Sequence, residues 1–144
     1  MNITDVIAPF LRLPAAERRT TLRVAGEALL VEAMIRVWPL PRVARILGFS
    51  LAHADSDVAS PRSLTLSAAE RRQLRCVRRV MRHWPLCEGT CLRESLLFGR
   101  VLRKRKPRLV LGVAPANGSF IAHAWLDIGG VKVGEQDVFQ PLVR

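Results

Sequence analysis

An α+β fold, helical first and closing on a small antiparallel sheet, is what the 144-residue sequence predicts. Three observations carry it. Apolar residues recur at helical spacing up to about Lys104, the period changes to strand alternation after Pro107, and Asn117-Gly118 and Gly129-Gly130 divide the last stretch into three runs. The composition, 49% hydrophobic and 24% charged with nine Gly and nine Pro, is that of a globular chain and excludes a fibrous or disordered one. Folding at this length buries roughly two-thirds of the extended chain's surface, enough for one core. The sequence thus predicts one compact unit, with a helical region and exposed linker over 1–66 and a core over 67–144.

Residues 15–37 follow Pro14 and carry Leu22, Ala25, Leu29, Ala33 and Val37 at helical spacing, so they predict a long helix with that stripe inward, stopped by Pro39 and Pro41. A short helix over Val43–Leu47 ends at Gly48. The stretch 49–63, rich in Ala, Ser and Asp and without period, reads as linker. Ser67 and Glu70 have capping-box spacing and open a helix over 68–83, whose apolar stripe (Leu74, Val77, Val80, Met81, Trp84) is surrounded by arginines. Pro85 ends it. Thr90 is the expected N-cap of the next helix, from Cys91 to about Lys104, with Arg93 where a capping box would have Glu. Three strands follow, over 109–114, 119–128 and 131–133.

Lys plus Arg is 23 and Asp plus Glu 12, a net +11 that favours acidic partners. Nucleic acid is disfavoured, since the chain has no Tyr, only 6% aromatics, and no aromatic strand motif on which bases could stack. The most apolar stretch, 28–40, is broken by Glu32 and Arg36 and falls short of a transmembrane segment, although surface association stays open. With no secretory start and an odd set of cysteines (Cys76, Cys87, Cys91), a reducing cytoplasm is expected. No cofactor is expected. His83, Cys87, Cys91 and His123 are a weak alternative as a zinc site, because the spacing is short and Pro85 interrupts it.

Cys91 opens a helix, where backbone amides and the macrodipole favour a thiolate, the nucleophilic form of cysteine. Cys76, inside a helix, reads as structural. The second strand places His123 on one face with Trp125 and Asp127, while the other face, Ala122 to Ile128, is apolar and belongs on the core. What faces His123 depends on the second turn. A three-residue loop over Ile128–Gly130 puts Glu135 opposite it. A two-residue turn puts Gln136 there, or Asp137 if a bulge follows at Gly134. Glu135 is the first choice as orienter, Asp137 the second and Asp127 a weaker third. Cysteine, histidine and carboxylate in these positions have the nucleophile, base and orienter logic of a cysteine hydrolase.

The segments Trp38–Gly48, Thr90-Cys-Leu-Arg-Glu-Ser-Leu96, Leu109–Val113 and Ala122-His-Ala-Trp125 resemble the leader peptidases of lasso-peptide biosynthesis, small members of the transglutaminase-like cysteine protease superfamily. The resemblance covers residues 25–142 and implies a papain/transglutaminase-like core with the Cys-bearing helix packed on the sheet. It implies Cys91 as nucleophile, His123 as general base and the acidic residue after the glycine turn, Glu135, as third member. It implies no metal. The implied activity removes the leader of a ribosomally made precursor, freeing an amine for a separate cyclase. Without a winged-helix recognition segment, a separate leader-recognition protein is implied as partner. A transglutaminase-like acyl transferase shares the triad and remains an alternative.

Overall fold

The computed structural model describes residue 10 and residues 13–52, 64–85, 90–116 and 119–134. Local punctuation sets the helix ends. Helix α1 spans Ala15–Val37 after Pro14, α2 Leu40–Leu47 with a proline in its first turn, α3 Ala68–Arg82 and α4 Cys91–Val101. Gly48, at φ 88°, ends α2 in the left-handed conformation that a residue without Cβ adopts at no cost. The capping box of α3 is complete: the Glu70 amide donates to Ser67 Oγ at 3.2 Å and the Ser67 amide to Glu70 Oε2 at 2.7 Å. After α4 the chain makes a 3-10 turn, Arg103–Arg105, and enters the sheet.

The sheet has four strands in the order β1-β2-β3-β4, formed by Ser50–Ala52, Arg108–Ala116, Ser119–Ile128 and Val131–Val133. The meander β2-β3-β4 is antiparallel, as expected, but β1 pairs parallel to β2, so the sheet is mixed. The expected linker therefore begins as a strand. Phe49 is buried with its ring against Gly99 of α4, and that anchor lays Leu51 alongside Leu109.

Helix α4 packs against β3 and is flanked by α1 and α3. Its Leu96, Leu97 and Phe98, with the following Leu102, meet Leu109, Ala124, Leu126 and Ile128 in one core, each leucine, isoleucine and phenylalanine contributing about 1.5–3 kcal/mol on full burial. The expected inward stripe of α1 is corrected: Val24, Ala28, Val31 and Met34 face the core, while Leu22, Leu29 and Val37 are exposed. The neighbours decide this, because α3 and α4 approach the Val24–Val31 side. Among the described residues no helix is long and apolar enough to cross a membrane.

The second hairpin also departs from the expected three-residue loop. Leu126 pairs with Val133, Asp127 with Lys132 and Ile128 with Val131, so Gly129-Gly130 is a two-residue turn. Both glycines have positive φ, 60° and 88°, the signature of the turn that matches strand twist in a tight hairpin. The premise that put Glu135 opposite His123 is thereby removed. Glu135 and Asp137 lie outside the described residues, as does Cys87.

Candidate active site

Cys91 is the first residue of α4, half-buried against the core. Thr90 precedes it as N-cap but, contrary to expectation, makes no side-chain cap bond, because its backbone is helical (φ −77°, ψ −8°) rather than extended. Two side chains hold this end of the helix instead. Ser95, one turn after Cys91 and 1% exposed, donates its hydroxyl to the carbonyl of Ala124 at 2.9 Å. Arg93 donates through Nε and Nη2 to the carboxylate of Glu32 on α1, itself 3% exposed. The Arg93 hydrogen bonds hold the Glu32 carboxyl below the usual range against the opposing effect of burial, and the charges of Arg93 and Arg36 act with them.

His123 lies on β3 beside Ala124, half-buried. Strand alternation sends its ring to the face that carries Trp125, with centroids 6.1 Å apart and planes at 22°, whereas α4 covers the Ala124 face. On that covered face Ala124 is buried and Ala122 exposed, so the cover of α4 ends beside His123. Gly134 bends out of the β4 ladder at φ 91°, next to the point where Ser95 meets Ala124. The structure thus places the start of α4 one helical turn from an anchor adjoining His123, at the border between packed and open β3.

Asp127 is engaged elsewhere. Its carboxylate accepts from Arg108 and, at 2.7 Å, from the Gly130 amide, so it closes the glycine turn. Cys76 is 1% exposed inside α3. Among the described residues no three His, Cys, Asp or Glu are grouped to hold a metal ion, and the zinc alternative needs Cys87, which lies outside them. Sequence alone assigned Glu32 and Gly112 no role at the site, and Ser95 entered only as part of the Thr90–Leu96 motif. Gly112 pairs with His123 across β2-β3, and a Cβ there would lie 2.6 Å from the Trp125 ring. A glycine inside a predicted strand, facing an aromatic one alternation away, is the signal that could have found it.

A family model described as transglutaminase-like superfamily matches residues 27–144. The chain belongs to the transglutaminase-like superfamily. Cysteine proteases and acyl transferases built on a Cys-His-Asp triad are typical of this superfamily. Its helix-on-sheet core accounts for the observed architecture, with the match spanning α2 to β4 and the C-terminal half of α1. No curated protein and no solved structure matches the chain.

Proposed function

We propose that this transglutaminase-like chain is a cysteine peptidase that removes the leader from a ribosomally made lasso-peptide precursor, with Cys91 as nucleophile and His123 as base. The observation that carries the reading is the Ser95–Ala124 bond, which ties the turn after Cys91 to the strand beside His123. The Cys91 thiolate attacks the scissile carbonyl, first-turn amides of α4 meet the oxyanion, and His123 protonates the departing amine. Water, deprotonated by His123, then cleaves the thioester and releases the leader as a carboxylic acid. The freed amine is what a separate cyclase would join to an acidic side chain.

The hairpin register favours Asp137 over Glu135 as the residue orienting His123. With a two-residue turn, an uninterrupted ladder brings Gln136 opposite His123, and one extra residue at Gly134 brings Asp137 there. Gly134, off the ladder at positive φ, has the backbone of such a bulge. A separate recognition protein would present the leader. The exposed Arg71, Arg72, Arg75 and Arg82 of α3 provide a basic surface toward which an acidic leader is steered.

Incubation with precursor and recognition protein, followed by mass spectrometry, tests this reading. Leader and core fragments are expected with the wild type and not with Cys91→Ala or His123→Ala, both folded by circular dichroism; full cleavage by Cys91→Ala ends it. Asp137→Asn should lose more activity than Glu135→Gln. The superfamily's acyl transferases supply a second reading, distinguished by excess primary amine: an amide-capped leader in place of the free acid would favour transfer.

A further inference from the structure

The chain that leaves α4 is densely basic: Arg103, Lys104, Arg105, Lys106 and Arg108 fall within residues 103–108. Glu70 holds Arg105 and Asp127 holds Arg108, whereas Arg103, Lys104 and Lys106 make no ion pair among the described residues. Arg103 borders a cavity of about 270 Å³ between α1, α3 and the end of α4. Three arginines, Arg23, Arg100 and Arg103, line it against one carboxylate, Glu27, so the cleft is positively charged. Glu27, 17% exposed, is already shared: Arg23 stands 3.0 Å and Arg100 3.3 Å from its two oxygens. The side chains of Arg103 and of Gln73, which enters from α3, have no hydrogen-bond partner among the described residues. Val24, buried, and Val101, half-buried, supply apolar lining.

The lining selects among anions. Glu27 shows the mode, a side-chain carboxylate held between two guanidinium groups. Gln73 offers a donor and an acceptor together, the complement of a peptide group, whereas a phosphate uses donors only. A doubly charged phosphate would also stand against the Glu27 carboxylate in the same cavity. None of the lining residues is aromatic, so a nucleic acid base finds no ring to stack on. We infer that this cleft docks an acidic segment of a polypeptide, with Arg103 receiving one of its carboxylates and Gln73 its backbone, and, resting on the peptidase reading, that the segment belongs to the precursor's leader.

Distance gives the segment its place. Arg100 and Arg103 follow Cys91 along α4 and the turn after it, which at 1.5 Å per residue sets the cleft roughly 14–18 Å from the nucleophile. An extended chain advances about 3.3–3.6 Å per residue, so the docked residues lie at least about five positions from the scissile bond. They take no part in the bond change. The cleft contributes equally to substrate and transition state, and its effect falls on KM rather than on kcat.

Fluorescence polarization of a labelled Glu-rich peptide at a fixed ionic strength of about 0.15 M tests the cleft without cleavage. The wild type should bind saturably. Arg103→Glu should weaken binding roughly tenfold or more, and Arg103→Gln by a smaller factor in the same direction. Arg42→Glu, the same charge change at an exposed site on α2, should alter it less than about twofold. Glu27→Gln should tighten binding, because it frees Arg23 and Arg100 for the incoming carboxylates. Circular dichroism should match the wild type in Arg103→Glu, whose side chain is exposed and unpaired among the described residues. Equal losses in Arg42→Glu and Arg103→Glu, or no gain in Glu27→Gln, would overturn the inference, as would inorganic phosphate or phosphatidylglycerol vesicles binding through Arg103 where the peptide does not. With precursor and recognition protein, Arg103→Glu should raise KM roughly tenfold at unchanged kcat. An unchanged KM overturns the assignment to the leader. Peptide binding beside a precursor that stays uncut would instead remove the peptidase reading and leave the cleft.

Discussion

Replacing Glu32 by Gln keeps the shape of the clamp on α4 and removes its charge. Arg93, whose side chain is 17% exposed, then loses the charge of Glu32 where little water reaches it, while Arg36, 61% exposed, can turn to solvent. Breaking a buried ion pair from one side costs about 3–5 kcal/mol. The Gln amide oxygen still accepts one bond from Arg93, so we expect about 2–3 kcal/mol for Glu32→Gln. For a chain of this length each kcal/mol lowers Tm by about 3 °C, which predicts a drop of roughly 6–9 °C at pH 7. The dependence on pH has a definite sign. The Glu32 carboxyl is held below its ordinary value of 4.5, first by its hydrogen bond from Arg93. Its stabilisation is therefore fully present above that value and lost as pH falls through the lower folded one. Calorimetric melting of both proteins from pH 7 to pH 3 should show a constant gap down to about pH 5 that narrows below it. No gap at pH 7, or one that persists unchanged in acid, would refute the clamp.

Ser95→Ala should cost about 1–3 kcal/mol in chemical denaturation, because it takes a donor from the buried Ala124 carbonyl. If the proposed chemistry is right, cleavage well below Tm should also slow by about tenfold or more as the start of α4 loosens. An unchanged midpoint would count against the anchor. Gly112→Ala should destabilise by about 1–3 kcal/mol and shift tryptophan emission, since its Cβ would press on Trp125; wild-type emission and Tm would contradict this. Glu70, held at about 2 by donation from Arg105 and then from the Ser67 amide, stabilises the start of α3 above pH 4.5, an effect lost as pH falls through about 2. Glu70→Gln should therefore cost about 1 kcal/mol at pH 7; a gap already closed at pH 4 would argue against so low a carboxyl.

Several helix limits were legible because their causes are local, although α2 begins at Leu40 rather than Val43 and α4 ends at Val101 rather than near Lys104. Pro14, Pro39, the Ser67/Glu70 box and Pro85 act within one turn of where they stand, and α1 ends at Val37 as its sequence predicts. The buried face of α1 was not legible, because apolar residues line both faces and only the packing of α3 and α4 chooses between them. β1 is three residues without period and becomes a strand only beside β2. The register of the second hairpin turned on whether Ile128 joined the loop, a choice that residue types leave open and backbone twist decides. Cys91 and His123 could be singled out by type and position. The Glu32–Arg93 contact, 61 residues apart in sequence, could not.

These contacts bear on one feature of α4, a start that its N-cap residue Thr90 does not cap. A side-chain oxygen from Thr90 would normally accept from amides of the first turn and stabilise the helix by about 1 kcal/mol. Thr90 makes no such bond, while Glu32 grips Arg93 from the side and Ser95 grips β3 from below. The helix start is held laterally rather than along its axis. In the proposed peptidase that distinction has a purpose, because the first-turn amides left by Thr90 are the donors from which an oxyanion hole is built. An axial cap would compete with the oxyanion for those donors; lateral anchors fix the same turn and leave them directed at the substrate.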